Sequence, residues 1–296
     1  MSAPAPAIAG CYWTLAGPVE LGTGGREWSR FDFRDRCEEA ARAGFSGIGL
    51  WHADLEHVLV SRSLGEMKQI LDDNGLACTE LEFLCDWFVA SGDARRRASD
   101  ARRGLLLRAA AALGAHHIKV GNLFGTPGPI GQIADEFALL CADVARQTPA
   151  KVVYEFMPFD GNVNTVDKAL SVVEGADAEN GGLAIDTWHM GKLGIRPDDL
   201  GRIPPRYLSW MELSDGLAAN MPDLSDECLN HRSLPGEGEL GVDRYVAAAQ
   251  AGGYGGPWGV EVLSAELRKL PIREMYRRAY QATAVQFKPT PGRARP

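Results

Sequence analysis

Four short apolar runs in the second half of the 296-residue chain each carry one acid near the C-terminal end. They read Val152-Val153-Tyr154-Glu155-Phe156-Met157, Leu183-Ala184-Ile185-Asp186-Thr187-Trp188-His189, Leu208-Ser209-Trp210-Met211-Glu212-Leu213 and Trp258-Gly259-Val260-Glu261-Val262. An ionised carboxylate in such a run costs several kcal/mol unless it is paired or coordinated, so Glu155, Asp186, Glu212 and Glu261 need partners. If neighbouring strands bring the four together, they must share protons or hold a cation. A divalent metal meets that need. The alternative is that each acid pairs with its own Lys or Arg, for which the strand interiors offer Lys119 as the obvious base.

Such acids require a scaffold that points strand ends at one place. Short apolar runs alternate with amphipathic stretches, which predicts repeated strand-helix units. The expected strands are Ile8 to Leu15, Phe45 to Trp51, Ala77 to Leu84, His117 to Gly121, Lys151 to Met157, Gly182 to Thr187, Tyr207 to Leu213 and Trp258 to Leu263. Helical patterns fall at Phe31 to Ala43, Leu64 to Asn74, Arg97 to Leu113, Ile130 to Gln147, Val166 to Glu174 and Val242 to Ala251, with Gly75, Gly114, Gly175 and Gly252 as stops. The connection after the sixth strand is too short for a full helix. Eight such units predict an α/β fold, a single (β/α)8 TIM barrel covering residues 1–296, with loose ends at about 1–7 and 288–296. In that fold the chemistry gathers at the C-terminal ends of the strands.

Composition narrows the partners. With 45% hydrophobic and 24% charged residues the chain can bury a large core, which excludes disorder as its main state. The net charge of −8 repels phosphate backbones and anionic membranes, so neither nucleic acid nor membrane is expected as a partner. No apolar run spans a bilayer and the first ten residues do not read as a signal peptide, which predicts a cytoplasmic protein. The six cysteines lack a Cys-x-x-Cys pair and read as reduced packing residues. The Gly22 to Gly25 stretch lacks the Lys and helix cap of a phosphate loop, so no nucleotide cofactor is expected.

The series Glu155, then Asp186-Thr187-Trp188-His189, then Arg232 with Pro235-Gly236-Glu237-Gly238, then Glu261, resembles the xylose isomerase-like barrel superfamily, in particular its sugar epimerase, inosose dehydratase and dehydroshikimate dehydratase members. The resemblance implies a metal held by Glu155, Asp186, the strand-seven residue and Glu261, with His189 and Arg232 facing the substrate. Many relatives carry His on strand seven where this chain has Glu212. If Glu212 binds, the shell is four carboxylates, an oxygen-only set that favours Mn²⁺ or Mg²⁺ over Zn²⁺, with Co²⁺ or Zn²⁺ as the alternatives; otherwise Glu212 turns away and a water takes its place. Lys119, Arg232 and a protonated His189 can offset the remaining negative charge.

A metal on two vicinal oxygens of a keto-polyol stabilises the enediolate left when the α-proton leaves. The resemblance implies Glu155 and Glu261 as the acid-base pair on opposite faces, with His189 hydrogen-bonding a substrate oxygen or protonating a leaving group. The expected function is therefore metal-dependent isomerisation or epimerisation of a keto-sugar or keto-cyclitol. The alternative is lyase (dehydratase) chemistry by β-elimination from the same intermediate. Trp13, Trp51, His52, Glu82 and Lys119 lie at or near earlier strand ends as further substrate-binding candidates. The two Trp rings can stack on a sugar or simply pack, and Glu82 can pair with Lys119 or hold hydroxyls. His189 has a solvent or Asp215 partner as its bland alternative, and Arg232 a salt bridge. Trp188 is expected in the core.

Two readings of another class compete. The superfamily includes DNA-repair enzymes of the endonuclease IV kind, and Arg95, Arg96, Arg97, Arg102, Arg103 and Arg108 form a basic cluster, but Asp93 and Asp100 intersperse it and six histidines are few for a three-metal site. The other is a noncatalytic sugar-binding protein. The net charge favours a neutral carbohydrate, although one local Arg can still bind a carboxylate. Apolar surface helices permit a homo-oligomer.

Overall fold

All eight expected strands form and pair in parallel in chain order into a closed barrel, the last returning to the first. The computed structural model describes residues 5–21 and 25–288. The outermost parts of the expected loose ends, and Gly22 and Gly24 of the glycine stretch, lie outside the described residues. The strands are β1 (Ile8–Gly10), β2 (Gly47–Trp51), β3 (Ala77–Leu84), β4 (His117–Gly121), β5 (Lys151–Glu155), β6 (Gly181–Asp186), β7 (Leu208–Leu213) and β8 (Trp258–Val260). The helices are α1 (Tyr12–Leu15), α2 (Phe33–Ala43), α3 (His52–Val58), α4 (Leu64–Asp73), α5 (Ala94–Leu113), α6 (Ile130–Ala145), α7 (Val166–Ala176), α8 (Thr187–Lys192), α9 (Leu224–Asn230), α10 (Val242–Ala251) and α11 (Ile272–Ala284).

Several strands stop earlier than their apolar runs. Pairing ends at Gly10, Glu155 and Val260, yet Phe156, Met157, Val262 and Leu263 stay buried in the loops at the barrel mouth. Hydropathy reports burial, and here burial outlasts the ladder. The region expected as strand from Cys11 to Leu15 is instead a helical turn. Short α3 and α9 and the closing α11 were not expected. After β6 the chain forms only the six-residue α8 and a 3-10 turn at Pro197–Arg202.

Local chemistry sets the helix ends. Asp93 and Thr165 accept from the first turns of α5 and α7, and Ser63 forms a capping box with Glu66 at α4. Gly114 closes α5 at φ 67°, as expected, but α7 runs through Gly175 to Ala176 and the left-handed turn falls on Asp177. At α10 the left-handed residue is Gly253 rather than Gly252.

Strand alternation divides the core into two layers. Outward side chains of the strands pack on the helices, while Ala9, Cys11, Val153, Ala184 and Trp210 cluster inside the barrel. Cys11, Cys37, Cys85, Cys141 and Cys228 are free and buried. No helix among the described residues is long and apolar enough to cross a membrane.

Candidate active site

Glu155 and Asp186 are the last residues of β5 and β6, Glu212 is the penultimate residue of β7, and Glu261 directly follows β8. The register sets Asp186 opposite Glu212. Each of the four buried acids offers one oxygen, and these oxygens lie within 4.8 Å of one another. Asp186 Oδ1 accepts from Trp188 N at 2.7 Å and so caps α8, which orients the side chain and leaves Oδ2 facing the cluster.

Bases reach the same point. From β4, Lys119 Nζ lies 2.7 Å from Glu212 Oε1, 2.8 Å from Glu261 Oε1, 3.1 Å from Glu82 Oε2 and 3.8 Å from Glu155 Oε2. Arg232, just after α9, puts Nη1 2.6 Å from Asp186 Oδ2 and 3.3 Å from Glu261 Oε2, with its guanidinium 4.6 Å from the Trp188 ring centroid. His189 Nε2 lies 3.2 Å from Glu155 Oε1 and 3.7 Å from Asp186 Oδ2. It does not pair with Asp215, which instead accepts backbone N–H groups from Gly216, Gly236 and Leu240 and fastens the Pro235-to-Leu240 loop to the end of β7. Trp188 is fully buried, but in α8 rather than on a strand.

The charges do not balance with protein groups alone. Six buried carboxyls, those of Glu80, Glu82, Glu155, Asp186, Glu212 and Glu261, face two permanent cations, Lys119 and Arg232. Burial would raise the Glu155 carboxyl, but Lys119 and His189 outweigh it and bring it down to about 2. Burial, with neighbouring carboxylates, pushes Glu261 up to about 7 against the pull of Lys119. It raises Glu82 and Glu212 well above the usual carboxylate range in the same way. The protons these acids retain mark a deficit of positive charge. Glu212 Oε1 takes Lys119 and Trp210 Nε1, the latter at 2.8 Å, while Glu212 Oε2 is buried with no hydrogen-bond partner among the described residues. A divalent cation therefore fits this donor set, held by Glu155, Asp186, Glu212 and Glu261. A second set overlaps it: Glu155, Asp186 and His189 also bring ligand atoms within 4.8 Å of one another, and its nitrogen widens the choice of metal.

A cavity of about 470 Å³ opens on the cluster. Glu82, Glu155, His189, Arg232 and Glu261 line it, as do Trp13, Trp51 and His52. The Trp13 and Trp51 rings pack 4.6 Å apart, and Trp51 Nε1 donates to Glu27 Oε2 at 3.0 Å. Lys119, Asp186 and Glu212 are buried behind this lining. Glu82 pairs with Lys119 while also facing the cavity.

Several residues escaped the sequence reading. Glu80 and His117 extend the ionic cluster deeper into the barrel, where Gly49 leaves room for the Glu80 side chain: a Cβ there would lie 2.3 Å from its Oε1. Glu80 precedes Glu82 by two residues on β3, and period-two alternation on an apolar strand was the available signal. Phe83 lines the cavity from the end of β3, and Leu123, Phe124, Phe159 and Arg102 line it from loops and from α5, where no strand-end residue was read.

Residues 37–283 match the profile of the xylose isomerase-like TIM barrel family. The 3-dehydroshikimate dehydratase of Pseudomonas putida is 26% identical over 243 residues, 81% of this chain but 37% of that protein. The inosose isomerase of Halalkalibacterium halodurans is 27% identical over 143 residues, 48% of this chain and 50% of that protein. The chain thus spans between about a third and a half of the length of these relatives, both of which are enzymes. Among solved structures, one described as the IOLI protein with a binding zinc atom superposes with a TM-score of 0.80 at 18% identity, covering 95% of this chain and 97% of its own. With a closed eight-stranded barrel and a profile match over most of its length, the chain belongs to the xylose isomerase-like TIM barrel family.

Proposed function

We propose that the chain is a divalent-metal-dependent enzyme that removes the proton beside the carbonyl of a small hydroxylated ketone, a keto-sugar or keto-cyclitol, and returns it as an isomerase or epimerase. The observation that carries this reading is the gathering of Glu155, Asp186, Glu212 and Glu261 within 4.8 Å at the mouth of the barrel. When bound, the metal supplies Lewis-acid stabilisation of the charge that develops on the substrate oxygens, worth several kcal/mol. Glu155 and Glu261 both line the cavity and are the acid-base pair. Arg232 and His189 present donors to substrate oxygens, and Trp13 and Trp51 offer an apolar wall to a ring. Lys119 holds Glu212 and Glu261 in place from behind. A cytoplasmic location and Mn²⁺ or Mg²⁺ as the native metal remain part of this proposal, the metal on the ground of the oxygen-only donor set.

A second reading is β-elimination. The alignment with a dehydratase over 81% of the chain favours it, as does His189, which lines the cavity beside Glu155 and can protonate a departing oxygen. The test is incubation with 3-dehydroshikimate, an inosose and ketoses in deuterated water with Mn²⁺ and then with chelator. Metal-dependent deuterium at a retained carbon supports isomerisation or epimerisation, and a new ultraviolet-absorbing conjugated product supports elimination. If the metal-loaded chain gives neither on any of these substrates, the reading is overturned.

A further inference from the structure

Of the basic residues read from the sequence as a cluster, four are occupied by the protein itself. Arg95 pairs with Asp93, Arg96 with Asp100 and Glu136, and Arg103 with Asp143, while Arg97 donates to Gly92 O. Arg108 is exposed. Arg102 differs from all of these: it is half-buried, lines the cavity that opens on the acid cluster, and has no carboxylate partner among the described residues.

None of the acids that share its cavity is paired with it among the described residues. Phe83, Leu123 and Phe124 share the lining with it. Burial, followed by the Arg102 charge, pushes the His52 imidazole down to about 3, and burial pushes the Cys85 thiol up to about 12, so both are neutral. The acids nearby are engaged elsewhere: Glu82 with Lys119, Glu27 with Trp51 Nε1, and Asp86 Oδ1 with Thr126 Oγ1. A guanidinium partly withdrawn from water and without an ion-pair partner leaves a charge that a ligand can pair.

Resting on the reading above, we propose that the substrate carries a carboxylate and that Arg102 is the residue that selects it. The planar guanidinium matches a carboxylate in a two-point hydrogen bond. A phosphate dianion is disfavoured, because Glu27, Glu82, Glu155 and Glu261 line the same cavity. The ligand is thus a singly charged ring acid: the carboxylate sits on Arg102 and the oxygenated edge faces Glu155 and Glu261. This departs from the neutral carbohydrate expected from the overall charge of −8, which sets the distant field but not the local contact.

The probes are shikimate and its methyl ester, which carry ring hydroxyls but no ketone and so report binding without turnover. Both are titrated by calorimetry into the Mn²⁺-loaded full chain, its Arg102→Gln variant and its Arg102→Lys variant. The wild type is expected to bind the acid at least about tenfold more tightly than the ester. R102Q should remove that ratio with the ester affinity unchanged, and R102K should keep part of it. If the wild type does not prefer the acid, or if R102Q weakens acid and ester alike, the proposal is overturned. A chain without metal-dependent deuterium exchange but with an Arg102-dependent preference for the acid would sink the proposed reaction and leave this seat standing.

Discussion

Lys119 is fully buried, and the carboxylates around it hold its ammonium well above the usual range despite that burial. Replacing it by Met removes the cation from Glu82, Glu212 and Glu261 together. Loss of one partner from a buried ionic group costs about 3 to 5 kcal/mol. Lys119→Met is therefore expected to lower thermal stability sharply in chelator and to recover more on adding Mn²⁺ than the wild type gains. Equal melting temperatures for the two proteins in chelator would contradict this account of the cluster. Glu155→Gln and Glu261→Gln address the chemistry instead, and each is expected to slow deuterium exchange by about 10² to 10⁴-fold, the range for losing a positioned acid or base. The four acids were legible because each interrupts an apolar run. The way they share bases was not, since Lys119 and Glu212 are 93 residues apart and only the closed barrel joins them.

At the scale of elements, the segment from α9 to α10 decides where Arg232 stands. Asp215 at the end of β7 accepts three backbone N–H groups, two of them from this segment, and a Cβ on Gly238 would lie 2.4 Å from Asp215 Oδ1 and 2.5 Å from Gly216 N. Backbone packed this closely has no room to yield. Gly238→Ala should cost about 1 to 3 kcal/mol, the range for overpacking a tight site. It should also raise KM more than it lowers kcat, because the loop carrying Arg232 shifts while Glu155 and Glu261 stay on their strands. Unchanged stability and KM would show that the loop is held by other contacts. The sequence reading located most of the large helices to within a few residues, because capping residues and 3.6-residue periodicity are local signals. It missed α3, α9 and α11. α3 and α9 are short, and α3 begins at His52 directly after β2, inside what reads as a strand-end site.

For the whole molecule, eight parallel strands could be counted from hydropathy, but ring closure is what turns Cys11, Glu80, His117 and Trp210 into neighbours. That interior also shapes the response to acid. His116 Nδ1 lies 3.0 Å from His117 Nδ1, a contact that accommodates one proton between two rings, and Lys151 adds positive charge beside them. Burial, then His117 and Lys151, push the His116 imidazole down to about 3, and burial lowers His117 as well. The unfolded chain takes up a proton on His116 below the ordinary imidazole pKa of about 6.5, while the folded chain refuses it until far lower. The His116 contribution is therefore complete above about pH 6.5 and is lost as pH falls toward about 3, at up to about 1.4 kcal/mol per pH unit. The raised carboxyls of Glu82 and Glu212 favour the folded state on the acid side, so the net slope of the wild type mixes both effects. Comparison with His116→Gln isolates the imidazole. Between pH 7.5 and 5 the variant should lose less thermal stability than the wild type, and parallel melting curves across that interval would show that His116 accepts its proton in the folded barrel.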